Sequence, residues 1–159
     1  MVVGCLVEHE EKVLLCKRAI EPRYGLWTLP AGFMENDETT MQAAQRETQE
    51  EAGADVEIVQ LFTMFSLPHI DQVYMLYRAR FKEFAFSAGS ESLEVDLFDE
   101  ADIPWDEMAF PVISESLRRF FADKKSGKYK IHNGAMLKKS EMKPGQQTTS
   151  FSVTVLDDD

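Results

Sequence analysis

Only two cysteines and three histidines stand among the 159 residues, and no Cys-x-x-Cys pair occurs. A zinc site of the Cys/His type cannot be assembled from that inventory with the usual spacing. Cys5 and Cys16 both lie in apolar runs; one disulfide between them is open, but two buried thiols in a reducing compartment is the simpler reading. No uninterrupted apolar run approaches the roughly 18–20 residues that a bilayer crossing needs. Positive charge is scarce as well: 17 Lys and Arg against 28 Asp and Glu leave a net charge of −11 and a pI near 4.7. Such a surface repels a phosphate backbone, and no basic stripe alternates with stacking aromatics. Neither nucleic acid nor membrane is therefore an expected partner. A small phosphorylated substrate stays open, because metal ions neutralise charge locally. No Ser/His/Asp or Cys/His set is apparent that would support a covalent intermediate.

What is present is one ordinary domain, 44% hydrophobic and 28% charged. Residues 2–8 and 13–18 read as strands joined by a tight turn, and 19–25 as a loop bounded by Pro and Gly. Residues 27–30 read as a short strand ended by a loop at 31–33. From 39 to 52 the composition is helical, and Gly53 follows as a stop. Strands are expected at 55–66, 72–82 and 92–98, and a second helix at 110–122. Beyond Ser126 the periodicity fades. The stretch 138–159 reads as a loosely held polar tail, with 151–155 able to add an edge strand. The fold class is α/β, a sandwich of two helices and a mixed sheet.

Residues 32–54 carry the chemistry. On a helix at about 100° per residue, Glu47, Glu50 and Glu51 fall within about 100° of one another. Met41, Ala44, Thr48 and Ala52 make a neighbouring stripe suited to packing on a sheet. Crowded carboxylates repel, each like-charge pair costing a few tenths of a kcal/mol. A hard divalent cation removes that cost, and carboxylates with a carbonyl and water are what Mg²⁺ or Mn²⁺ takes. Arg46 stands beside Glu47 and is suited to hold a carboxylate bidentately. Three glutamates alone would read as a solvated face, but the spacing says more. Gly32, Glu38, Arg46-Glu47, Glu50-Glu51 and Gly53 keep fixed intervals that arise by chance on the order of 10⁻⁸ per window.

That skeleton is the Nudix box, and the chain resembles a Nudix hydrolase. Thr48 and Ala54 stand where the family usually has bulky aliphatic residues, both at packing positions. The segments 25–32, 91–94, 102–106 and 109–110 extend the resemblance to the ADP-ribose, FAD and NADH pyrophosphatases, plastid FAD pyrophosphatases included, without their zinc ribbon. The resemblance implies a Nudix-type α/β/α sandwich over 1–135, followed by a polar, acidic tail at 136–159. It implies Mg²⁺-dependent (or Mn²⁺-dependent) cleavage of an ADP-linked nucleotide to AMP and a phosphorylated remainder. The alternative is a Nudix-fold sensor that binds ADP-ribose or a related nucleotide without turnover. Metal ligands implied are Glu47, Glu50, Glu51 and the Ala31 carbonyl, joined by Glu94, with Glu91 second. Glu47, Glu50, Glu94 and Arg46 form the implied catalytic set, and Glu38 is read as fixing the loop-to-helix geometry. Arg18, Arg23 and Tyr24 are the candidates for substrate binding. His69, in a segment at 67–70 that resembles the same subgroup, is implied as a residue that meets substrate; a loop histidine is otherwise a weak signal. A homodimer is expected, in the cytoplasm, or in a plastid where a transit peptide has been removed.

Overall fold

A computed structural model describes residues 1–141 and 152–156. The strands are β1 (Val2–His9), β2 (Lys12–Arg18), β3 (Trp27–Thr28), β4 (Ala31–Phe33), β5 (Val56–Leu67), β6 (Gln72–Phe81), β7 (Ser92–Phe98), β8 (His132–Lys138) and β9 (Ser152–Leu156). Two helices, α1 (Thr40–Ala52) and α2 (Pro111–Ser126), complete the fold. The sheet runs β3-β2-β1-β6-β5-β8-β9, with β4 paired to β1 and β7 to β2. It is mixed: β1 runs parallel to β6, and β5 antiparallel to β6.

β1 is apolar almost throughout because both of its faces are covered. Val2 and Leu6 enter the core formed with Ile113, Leu117 and Phe120 of α2, while Val3, Cys5 and Val7 enter the core formed with Ala43, Ala44 and Ala52 of α1. β2 divides the same way, Leu15 on the α2 side and Leu14 and Cys16 on the α1 side. Alternation along each strand thus sends successive residues into two helix layers. The expected sandwich is observed, and both thiols are free and buried.

Several local expectations change. Residues 31–33 are a strand, because Val2, Val3 and Gly4 of β1 pair with Phe33, Gly32 and Ala31. Met41 is exposed, and Ala43 takes the buried place expected of it. Helix α2 continues to Ser126, where Gly127 caps it in the left-handed region. Past it, β8 pairs with β5 and carries β9 on its other edge, both in parallel. The boundary expected at 135 therefore falls inside β8, and the edge strand forms over 152–156. The rest of the expected tail, 142–151 and 157–159, lies outside the described residues.

Candidate active site

Helix α1 begins with a capping box: Thr39 accepts from the Gln42 amide at 3.1 Å, and Gln42 Oε1 accepts from the Thr39 amide at 2.9 Å. It ends at Gly53, whose φ of 57° a side chain would disfavour. Between these stops the acidic face is organised by Arg46. Its Nε and Nη2 donate to the two oxygens of Glu38 at 2.8 and 3.0 Å, a bidentate fork. Its Nη1 donates to Glu47 at 2.9 Å and to Glu50 at 3.1 Å, and Nη2 also donates to the Phe33 carbonyl. Glu38 holds its carboxyl below the usual range because of Arg46, and Arg46 in turn is pushed further up, by Glu38 foremost. The expected role of Glu38 stands: it also accepts from the Glu35 amide and so ties the loop to the helix.

Glu47 and Glu51 face a cavity of about 1130 Å³. Glu51 Oε2 accepts from the Ala31 amide at 2.9 Å, which docks the helix carboxylate on β4. Burial raises Glu51 to about 8, Glu47 adding to the effect and the Ala31 N–H opposing it. Burial likewise raises Glu47, against the pull of Arg46. Gly32 makes room for this arrangement, since a Cβ there would collide with the Glu47 carboxylate. Thr48 and Ala54, the two departures from the box pattern, are both fully buried, and Thr48 satisfies its hydroxyl on the Ala44 carbonyl.

Glu91, not Glu94, joins this pair. Glu91 lines the cavity and its charge raises both Glu47 and Glu51. It arrives there because its loop is pinned to the end of α1. Ser87 and Gly89 donate backbone N–H groups to the Ala52 and Glu51 carbonyls, and Ser92 Oγ donates to Glu51 O at 2.8 Å. Glu94 lies on the opposite side of β7 from Val95 and Leu97, which pack on the α1 side. Its side chain is 62% exposed and pairs with Lys17 at 3.6 Å. The expected alternation along this strand was sound, but the face that meets α1 is the apolar one.

The other candidates divide. Ala31, Arg18 and Arg23 line the cavity. Arg18 is steadied by donating Nε to the Pro22 carbonyl at 2.9 Å, with its guanidinium 5.1 Å above the Phe110 ring. Arg23 holds a φ of 66°, which costs a non-glycine residue energy. Glu50 and Arg46 sit outside the cavity wall, Glu50 being 57% exposed, and Tyr24 points to solvent.

Among the described residues, no three His, Cys, Asp or Glu side chains are arranged as a finished ligand shell. Glu47 and Glu51 each spend one oxygen, on Arg46 and on Ala31. Two neighbouring carboxylates that burial raises, Glu51 being raised further by Glu47, nevertheless form a donor set that a hard divalent cation suits. The residues fit the ion.

Residues 1–121 match the family model for the NUDIX domain, and the chain belongs to the Nudix family. It is 30% identical over 110 residues to an ADP-ribose pyrophosphatase of Methanocaldococcus jannaschii, a match covering 65% of this chain and 64% of that protein. The chain thus spans less than two thirds of that curated relative's length. A crystal structure of a NUDIX hydrolase from Nitrosomonas europaea shares 56% identity at a TM-score of 0.82, covering 84% of this chain and 76% of the other. The NUDIX domain of Shewanella oneidensis NrtR, solved with ADP ribose, shares 25% identity at a TM-score of 0.59, over 76% and 86% of the two chains.

Proposed function

We propose that this chain is a divalent-cation-dependent hydrolase that cleaves the pyrophosphate of an ADP-linked nucleotide, ADP-ribose, FAD or NADH, to AMP and the phosphorylated remainder. The observation that carries the reading is the single cavity in which Glu47, Glu51 and Glu91 face Arg18 and Arg23. Anionic and cationic groups set against each other suit a diphosphate that arrives with a cation. The names of the Methanocaldococcus relative and of the Shewanella complex point to the same substrate class.

In this reading Glu47 and Glu51, with the Ala31 backbone, hold Mg²⁺ or Mn²⁺. When bound, the ion polarises phosphoryl oxygens and lowers the pKa of water. Arg18 and Arg23 orient the diphosphate. Glu91 is the best-placed base: it takes a proton from water as the oxygen bonds to phosphorus and the P–O–P bridge breaks, AMP leaving with the bridging electron pair or retaining the attacked phosphorus. Arg46 is a positioning residue, holding Glu47 through Nη1 while Glu38 fixes its fork. Glu50 shares that cation at the rim.

The test is a panel of ADP-ribose, FAD, NADH and dGTP with Mg²⁺, the products separated by chromatography. AMP from one or more of the first three supports the proposal. Hydrolysis of dGTP alone refutes it, and tight binding with no turnover gives the sensor reading instead.

A further inference from the structure

Arg18 is a cation without a counter-ion. In a chain of net charge −11, its guanidinium makes no ion pair among the described residues. Its Nε donates to the Pro22 carbonyl at 2.9 Å, and its Cζ lies 5.1 Å from the centre of the Phe110 ring. That leaves both Nη groups unspent in the wall of the cavity. Tyr74 of β6 stands beside it. Tyr74 is only 7% exposed and lines the same cavity, and the Arg18 charge acts on its phenol as it does on Glu51. The Tyr74 hydroxyl has no hydrogen-bond partner among the described residues. It is not sealed off either, because the one unpartnered side-chain nitrogen or oxygen cut off from solvent there is His69 Nδ1. The little surface that Tyr74 keeps therefore includes its hydroxyl, and that surface opens on the cavity.

A polar group left unpaired in a nearly buried side chain is unfavourable, and folded chains keep few of them. Arg18 cannot supply the missing partner, since a guanidinium only donates, and burial keeps the phenol protonated against the pull of Arg18. Two donors thus face one space with no acceptor between them. The acceptor that suits both carries negative charge, because a neutral oxygen would leave the guanidinium uncompensated. The sheet says where that acceptor lies. Val2 of β1 pairs with Phe33 of β4 on one side and with Tyr74 on the other. Tyr74 is thus two strands, about 10 Å, from β4, on which Glu51 is docked. A diphosphate with one phosphoryl group at the cation of Glu47 and Glu51 extends its other group toward the unspent donors.

We infer that Tyr74 is a further substrate-binding residue, its hydroxyl donating to a phosphoryl oxygen of the diphosphate that Arg18 also holds. The inference rests on the diphosphate reading proposed above, and its binding test needs no turnover. Tyr74→Phe removes the oxygen and keeps the ring, which packs in the core on the α2 side. In this variant KM for ADP-ribose rises about tenfold or more, the weight of a hydrogen bond to a charged group, while kcat changes little. Calorimetric binding of inorganic pyrophosphate with Mg²⁺ weakens by a similar factor, because the contact involves neither base nor sugar. The melting temperature equals the parent's or exceeds it, because no internal hydrogen bond is lost. In an Arg18→Met background the same change costs no more than about twofold, since the oxygen is no longer held between two donors.

A parental KM in Tyr74→Phe overturns the inference. So does a loss for ADP-ribose that pyrophosphate does not share, which would move the contact to the sugar or the base. Losses that simply multiply in the double variant overturn the sharing with Arg18. A melting temperature several degrees lower would tie the hydroxyl inside the fold and overturns the inference as well. Should the parent turn over none of the ADP-linked nucleotides, the hydrolase reading fails by itself. The pyrophosphate titrations of parent and Tyr74→Phe then decide the inference: about tenfold weaker binding upholds it, and equal binding, or none to the parent, overturns it.

Discussion

The Glu51→Gln substitution should make the chelated protein more stable and, at the same time, inactive. Glu51 Oε2 accepts from the Ala31 amide, and a glutamine Oε1 can keep that bond. What the substitution removes is a charge held at the wall beside Glu47. Burial lifts the Glu51 carboxyl from an ordinary 4.5 to about 8, so the folded chain holds this proton more tightly than the unfolded chain. The sign follows from proton linkage: stability is greatest below pH 4.5, falls as pH rises through the interval, and levels off above about 8. At roughly 1.4 kcal/mol per pH unit between the two values, the ceiling is about 5 kcal/mol. Water in the cavity and the mutual titration of Glu47 and Glu51 reduce this to a few kcal/mol. Urea denaturation in EDTA at several values between pH 5 and 8.5 reads it directly. Parent and variant should nearly coincide at pH 5, and Glu51→Gln should be the more stable by a few kcal/mol at pH 8.5. Mg²⁺ should stabilise the parent far more than the variant at the higher pH, by mass action on the folded state alone. Two curves that stay parallel across the whole interval would refute the reasoning, as would a variant less stable at pH 8.5.

The remaining expectations follow from contacts already described. Glu91→Gln should lower turnover by about 10²-fold or more with stability kept, whereas Glu94→Gln, which breaks an exposed pair with Lys17, should keep parental kinetics; the reverse result in steady-state assays would restore Glu94 to the site. Gly32→Ala should displace the Glu47 carboxylate and abolish activity while circular dichroism shows an unchanged helix content; retained activity would mean that Glu47 is dispensable. Cys5, pushed up to about 12 by burial, and Cys16, raised further by burial and by Glu51, should resist a disulfide thiol reagent at pH 8 until denaturant is added; rapid labelling of the native protein would contradict the packing of β1 and β2 on α1.

Much of this was legible from residue order because local and tertiary preferences agree. β1 and β2 are apolar runs covered on both faces, and α1 is bracketed by Thr39 and Gly53, whose chemistry is local. β4 escaped because three residues containing a glycine carry no periodicity; its strand character comes from lying against β1. β8 escaped for a similar reason, since Asn133 and Gly134 interrupt the apolar pattern and its partners β5 and β9 are remote in sequence. Within the site, the box supplied Glu47, Glu51 and Arg46 by spacing alone. The choice between Glu91 and Glu94 turned on which face of β7 meets α1 and on how the preceding loop is anchored. Neither is written in period-two alternation. His69 was legible as a loop histidine in a segment that resembles the subgroup, whereas its unpartnered Nδ1 shows only once every neighbour has been placed.

The anchoring of that loop has a consequence for how the family's sequence space can be explored. Residues 82–91 leave β6 and return to β7, and on the way Ser87 and Gly89 are fastened to the carbonyls that end α1. Glu91 is thus held from two directions, by these pins on the helix terminus and by the Ala19 N–H donating to its own carbonyl at 2.9 Å at the end of β2. Phe86 packs on the α1 side of the sheet, and Phe84, though exposed, stacks on His9. Gly89 is fixed for a different reason, because a Cβ there would run into the Glu50 carbonyl. The segment behaves as a ruler whose length between the pins and Glu91 is set at both ends. A single-residue insertion or deletion between Gly89 and Glu91 would shift a carboxylate out of the cavity without touching the core.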